Sequence, residues 1–392
     1  MADMTVIDSD YDFGPLHAAM QRYVDLELMP GISSAVLKGR DLIDLHCVGW
    51  ADREDKTPLD VDNIYRVFSN TKLVTSCAAL LLHEEGCFQL DDPIDSYLPQ
   101  LANRQVLRPD ATDPEDTEPA AGPITIRHLM THTSGLSYGL LDPDSLIFKL
   151  YTENKVTNPA APLSQMVEAL ASLPLSYHPG TSWEYSVATD VMARLVEVIT
   201  DENFGDFLKA RIFEPLGMVD TDFHVPSGKS DRLVTYYAGA DLMEPMLSGL
   251  SRSNDMPGFP IQSGGGGLFS TLPDMVALVR GLIQGDGMLL RPESMALITT
   301  NQLPEGRNIQ FAGLGELPGK GHGLASAVSM APLPHEAPGV VGEFWWGGIA
   351  GTQWWVSPNN NLAAVVMTQR QRAFSHPFAA ELKKLTYDAV IT

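Results

Sequence analysis

Strand-like sequence stands at both ends of this chain, and the long stretch between them has another character. ISSAVLKG (32–39) and LIDLHCVGWA (42–51) flank Lys38-Gly39-Arg40-Asp41 and read as an antiparallel hairpin. The C-terminal end echoes it with GLASAVSMA (323–331), FWWGGIAGTQWWV (344–356) and NLAAVVMTQ (361–369), the last two joined across a Pro358-Asn359-Asn360 turn. A helical spacing of apolar residues precedes the first hairpin, from Leu16 to Leu28, and another follows the last strand, from Pro377 to Val390. Between the two ends, helical spacing dominates: Leu73–Glu85, Ile126–Met130, Ser164–Leu173, Val187–Ile199, Phe204–Ile212 and Pro273–Ile283. Residues 103–123 and 241–267 are rich in Pro, Gly, Asp and Ser and read as loops. The pattern predicts an α/β protein of the α+β type, with an antiparallel sheet flanked by the N- and C-terminal helices. Residues 1–68 and 320–392 would form this discontinuous α/β domain, and 69–319 a mainly helical one. A ligand cleft is expected between them, as at many domain interfaces.

At 392 residues and 44% hydrophobic, the chain can bury a large core. Its formal charge of −23 repels nucleic acid and anionic membrane surfaces alike, so neither is an expected partner. A neutral or cationic small molecule suits it better. Cys47, Cys77 and Cys87 are odd in number and share no metal-ligand spacing, which suggests reduced thiols rather than a disulfide framework. MADMTVIDSDYDFG has no basic segment followed by an apolar one, and the longest apolar window, Leu73–Leu82, is about half a membrane span. These features predict a cytoplasmic location; nothing in the sequence fixes an oligomeric state.

Two motifs invite a catalytic reading and fail on context. GLSYG (135–139) has the Gly-x-Ser-x-Gly form of a nucleophile elbow, which needs a strand before the serine and a helix after it. Ser137 has a capped helical turn upstream, Thr125–Thr133, and Pro143 downstream, so it reads as loop punctuation. His128 and His132 are spaced like two ligands of a zinc helix, but Leu129 stands where the glutamate base belongs and no third ligand is evident. A packed or capping pair is the expectation, with no metal.

A better serine lies in VFSNTKLVTSCAALLLHEEG (67–86). Strand-like IYRVF gives way at Ser69 to a helix apolar on most faces that stops at Gly86. Lys72, one turn on, shares a face with Ser69. Burial and the positive end of the helix dipole both disfavour an ammonium there, which would let the amine accept the serine proton. A serine so activated attacks an acyl carbon, and its own amide can hold the resulting oxyanion. In HPGTSWEYSVATDV (178–191), Tyr185 heads another amphipathic helix. Held near Lys72, its phenol could shuttle the proton to a leaving group; taken singly it reads as a wedge between elements. In EFWWGGIAGTQWWV (343–356), read as one strand, Gly347 and Gly348 permit close approach of a ligand and an edge amide there could supply a second oxyanion donor; the alternative is a β-bulge.

Ser69-x-x-Lys72, Tyr185-Ser186-Val187 and Trp346-Gly347-Gly348, in this order, resemble the three motifs of serine β-lactamases and penicillin-binding proteins. The likeness is closest to the class C β-lactamase-like esterases, the family VIII carboxylesterases. LMTHTSGL (129–136), HPG (178–180), EPLGM (214–218) and GGGGLFST (264–271) look familial too. The resemblance implies Ser69 as nucleophile, Lys72 and Tyr185 as a coupled base and acid, the amides of Ser69 and Ile349 as oxyanion hole, and no cofactor. It also implies a β-lactamase/penicillin-binding-like fold. Relatives of the lactamase and peptidase kind usually carry Asn where this chain has Val187 and a lysine where it has Trp346. Losing both removes an amide-binding group and the cation for a substrate carboxylate. With Trp345 and Trp346 near Gly347 and Gly348, the site would suit a small, neutral, short-chain ester. The alternatives are a weak β-lactamase, an amidase or an acyltransferase with the same chemistry, or a binding module without catalysis.

Overall fold

The structure, a computed structural model, describes residues 3–139, 142–251, 261–311 and 315–391. Its main sheet takes strands from both ends of the chain: β1 (Gly31–Lys38), β2 (Asp41–Asp52), β3 (Thr57–Pro58), β4 (Lys320–His322), β5 (Ala327–Ser329), β6 (Phe344–Gly347), β7 (Gln353–Ser357) and β8 (Leu362–Met367). The order is β4-β5-β6-β7-β8-β1-β2-β3, with every neighbour antiparallel. The last strand of the chain therefore lies beside the first, Ser33 opposite Met367 and Lys38 opposite Leu362.

Both faces of this sheet are covered, and the sequence of β8 shows it. Leu362, Ala364 and Val366 enter one apolar core while Ala363, Val365 and Met367 enter the other. A strand buried on both sides has no place for a polar residue, hence the unbroken LAAVVM. The first core lies under two terminal helices, α1 (Gly14–Asp25) and a last helix, Phe378–Ile391, which pack through Leu16, Met20 and Tyr23 against Phe378, Leu382 and Tyr387. Each large side chain so buried contributes about 1.5–3 kcal/mol. Arg22 and Tyr23 clamp the pair by donating to the Glu381 carboxylate.

The second core joins the sheet to the helical region. At its centre is α2 (Thr71–Glu84), in which every residue from Thr71 to Leu80 is buried. A helix buried on all sides belongs inside a large protein, and α3 (Ala188–Thr200) packs along it. The chain enters and leaves this region side by side, because Ile64–Arg66 pairs antiparallel with Phe269–Thr271. Then α4 (Leu272–Leu282) returns to cover β8 and β1, and the last helix, α5 (Phe378–Ile391), closes the chain.

Several expected elements shift on inspection. FWWGGIAGTQWWV is a hairpin of β6 and β7 rather than one strand; Gly351, at φ 94°, turns the chain where L side chains are disfavoured. The expected Phe204–Ile212 helix divides into an α segment, Phe204–Leu208, and a π turn, Lys209–Phe213. Helices at Leu146–Glu153 and Pro292–Thr299 were not expected. The 103–123 loop holds a small ribbon, Gln105–Leu107 with Thr117–Pro119. Of the 241–267 loop, 252–260 lies outside the described residues. Among the described residues no helix is long and apolar enough to cross a membrane.

Candidate active site

Ser69 occupies a single 3-10 turn, Phe68–Asn70, between the Ile64–Arg66 strand and α2. Phe68 makes the turn sharp: its φ is 45°, a left-handed conformation that costs a bulky residue about 1–2 kcal/mol. Neighbours hold it there. Val67 N–H donates to Leu268 O at 3.1 Å, and Thr71 Oγ1 donates to Phe68 O at 2.7 Å. Ser69 thus stands half-buried ahead of the first turn of α2, where the helix dipole favours negative charge.

Tyr185, just before α3, donates its Oη to Ser69 Oγ at 2.6 Å. Lys72 is 3% exposed. Its Nζ lies 4.5 Å from the centre of the Tyr185 ring and donates to Gly265 O at 2.6 Å. The three groups expected together are therefore brought together, with one change of arrangement: the direct partner of Ser69 Oγ is Tyr185, and Lys72 stands behind the phenol. The reason is the 264–267 glycine run, whose carbonyl draws the lysine aside. A Cβ at Gly265 would meet Asp190 Oδ2 at 2.4 Å, and one at Gly264 would meet Thr189 O at 2.8 Å, so only glycine lets this backbone reach Lys72.

Asp190 is the residue sequence reasoning missed. It sits in the first turn of α3, 1% exposed, accepting from Ser263 Oγ at 2.5 Å and Gly265 N–H at 3.0 Å. Burial raises its carboxyl above the usual range, and the charge of Lys72 opposes that rise. An aspartate on the apolar face of an amphipathic helix, five residues past Tyr185, was the signal available.

The third motif closes the site from the sheet. β6 pairs with β5 only at Phe344 and Trp345, so beyond them Trp346 and Gly347 run free of that neighbour. A Cβ on Gly348 would stand 2.4 Å from both Val67 O and Thr352 Oγ1, which explains why glycine lies against the Ser69 turn. Next to it, among the described residues, the Ile349 amide makes no hydrogen bond. The Trp346 ring, 5.5 Å from that of Tyr185, also meets Phe311 and His322.

Two expected substrate contacts are placed elsewhere. Strand alternation turns Trp345 to the α5 face, where Lys383 Nζ lies 4.8 Å from its ring and its Nε1 donates to Ser329 Oγ at 3.2 Å. Val187 is wholly buried ahead of α3, its amide donating to Ser137 O at 3.1 Å, so its side chain belongs to the core and not to a cleft wall.

Ser137 has a different bond from a nucleophile's: Oγ donates to the Glu184 carboxylate, and among the described residues no strand stands directly before it and no helix directly after it. His128 completes a capping box with Thr125, and His132 Nδ1 lies 2.9 Å from Ser186 Oγ. Burial lowers both imidazoles, and most strongly that of His132. His322 is held down to about 4 by burial and donates from Nδ1 to Gly323 O at 2.6 Å, so it is neutral near pH 7. Trp183, Tyr138 and Phe311 complete an aromatic surround for Tyr185.

The sequence matches the pattern of the Beta-lactamase family over residues 16–388. The chain belongs to that family. It is 32% identical to lovastatin esterase of Penicillium rubens over 352 residues, covering 84% of this chain and 85% of the relative. It is 29% identical to esterase EstB of Burkholderia gladioli, with 91% and 90% covered. EstCE1, described as a hydrolase with promiscuous acyltransferase activity, shares the fold at a TM-score of 0.80 and 24% identity, over 95% of this chain and 98% of that one. The chain is thus a β-lactamase-fold serine hydrolase of the family VIII esterase kind.

Proposed function

We propose that this protein is a carboxylesterase that cleaves small, short-chain esters lacking a carboxylate, through an acyl-enzyme on Ser69. The observation that carries the reading is the 2.6 Å contact between Tyr185 Oη and Ser69 Oγ, backed by a buried lysine. Lys72, with its Nζ 4.5 Å from the centre of the Tyr185 ring, is the group proposed to take the phenol proton. When the phenol has passed its proton on, Tyr185 Oη accepts the Ser69 proton while Oγ bonds to the acyl carbon. The carbonyl oxygen then takes the charge, and the amides of Ser69 and Ile349 are the donors proposed to hold it. As the bond to the alcohol breaks, Tyr185 returns its proton to the departing alkoxide. Water repeats the sequence on the acyl-enzyme and Ser69 regains its proton.

The substrate class rests on Trp346. An indole stands where a cation would bind a carboxylate, with the Phe311 ring 6.2 Å away, so at that position the group a β-lactam or peptide acid would need is replaced by an apolar one. Hydrolysis of short-chain aryl esters should vanish in Ser69→Ala; turnover surviving in that variant refutes the reading. In Ser137→Ala an acyl adduct should still map to Ser69. Transfer to alcohols is a second reading, favoured by the aromatic surround that limits water at Tyr185. Product analysis with added alcohol separates ester formation from hydrolysis.

A further inference from the structure

A cavity of about 410 Å3 lies against Tyr185, in the size range of small-molecule sites. Its walls include five aromatic rings, those of Tyr138, Tyr177, Trp183, Tyr185 and Phe311. Tyr138 stacks on Tyr185 at 5.5 Å and 7°, Trp183 lies 6.5 Å from Tyr185, and Phe311 meets Trp183 edge-on at 5.4 Å. Glu184 and Asp142 supply carboxylates, and among the described residues no lysine, arginine or histidine lines the cavity. Ser137 fixes the inner carboxylate: its Oγ donates to Glu184, and its own N–H donates to Tyr151 Oη at 3.1 Å. Aromatic faces beside a carboxylate are the chemistry that recognises an ammonium ion. Lys72, whose Nζ lies 4.5 Å from the Tyr185 ring and 5.4 Å from that of Tyr138, stands outside the lining, which leaves the Trp183 and Phe311 rings and the carboxylates to the ligand. The cavity also adjoins the residue that hands the proton to the leaving alcohol.

We propose that this cavity is the leaving-group subsite and that it selects esters whose alcohol carries an ammonium group. The inference rests on the acyl-enzyme reading of Ser69 and deepens it. Glu184, pushed up to about 7 by burial, gives the subsite a pH dependence. Of the titratable groups facing it, Asp142 raises it further, while Tyr151 and Tyr177 are themselves raised by burial and stay neutral. Above pH 7 the Glu184 carboxylate is charged and opposes a cation; below it the charge is lost.

The test compares a choline ester with the 3,3-dimethylbutyl ester of the same acid, which has the same shape and no charge. The ratio of their kcat/KM values should favour the cation by about tenfold or more at pH 8, shrink at pH 6, and fall severalfold in Glu184→Gln, with Asp142 and the rings left to account for the remainder. Because it is a ratio, partial misfolding of the variant cancels. Equal kcat/KM for the two esters in the wild type, with turnover still dependent on Ser69, overturns the subsite alone. Failure of both esters to acylate Ser69 overturns the underlying reading instead. Calorimetry with tetramethylammonium then decides the subsite without activity: wild-type binding that weakens from pH 8 to pH 6 supports it, and absence of binding at pH 8 refutes it.

Discussion

Gly347 and Gly348 are adjacent, yet replacing each with alanine should have different consequences. The Cβ of Gly348→Ala would lie 2.4 Å from Val67 O and 2.4 Å from Thr352 Oγ1, and real Cβ atoms essentially never approach closer than 3.0 Å. The hydroxyl can rotate, but the carbonyl is backbone, two residues before Ser69. Relief therefore requires the end of β6 and the Ser69 turn to separate by about 0.6 Å or more. That moves the Ile349 amide relative to Ser69, and a misplacement near 1 Å at a reacting centre costs on the order of 100-fold, or about 2.7 kcal/mol in the barrier. By contrast, the Cβ of Gly347→Ala would meet the Phe374 ring at 2.8 Å, a side chain able to swing away. Steady-state kinetics on a short-chain aryl ester should give Gly348→Ala a kcat reduced by roughly 30- to 100-fold with little change in KM, and Gly347→Ala a loss below about fivefold. Thermal melts establish that both variants fold. If folded Gly348→Ala keeps kcat within twofold of wild type, the amide beside Gly348 has no part in stabilising the transition state.

Three further outcomes follow from the same geometry. Tyr185→Phe keeps the ring packing but removes the oxygen that touches Ser69, so single-turnover acylation should slow by about 100- to 10,000-fold while the unfolding free energy changes by about 1 kcal/mol; normal acylation would contradict the proton path. Asp190→Ala leaves Ser263 Oγ and Gly265 N–H without their acceptor and Lys72 without a nearby carboxylate, and should cost about 3 kcal/mol in urea unfolding; a loss under 1 kcal/mol would show that the network is not structural. His322 has a folded pKa of about 4 against 6.5 when unfolded, so the unfolded state binds the extra proton and stability falls as pH drops from 6.5 to 4, by up to about 3 kcal/mol; His322→Gln should flatten that part of the urea-derived pH profile, and an unchanged slope would refute the assignment.

The parts legible in the sequence were those set by local pattern. Strand runs at both ends, helical spacing between them and the Lys38–Asp41 turn follow from periodicity and turn chemistry, whereas the place of β8 beside β1 is a long-range pairing that the sequence reading did not specify. Ser69 and Lys72 are three residues apart at the entrance to α2, so bringing both to one site needed no tertiary information, although Tyr185 and not Lys72 is the direct partner of Ser69 Oγ. Tyr185 could be placed only through the order of the three motifs. What escaped was decided by packing over long separations. Asp190 matters because the 264–267 glycines approach it, and His322 and Phe311 because strands distant in sequence bring them to Tyr185. Trp345 stands with its ring 6.1 Å from that of Trp346, and of the two only Trp346 makes a ring contact with Tyr185 among the described residues. FWWGGIAGTQWWV looked continuous because tryptophans at both ends masked the turn at Gly351.

The most direct test follows the intact mass of the protein during ester turnover, with peptide mapping of the adduct. A mass increase equal to the acyl group should appear on Ser69, decay as ester is consumed, and be missing in Ser69→Ala. An adduct on any other residue, or ester consumed with no adduct under conditions that trap acyl-enzymes, would contradict the account.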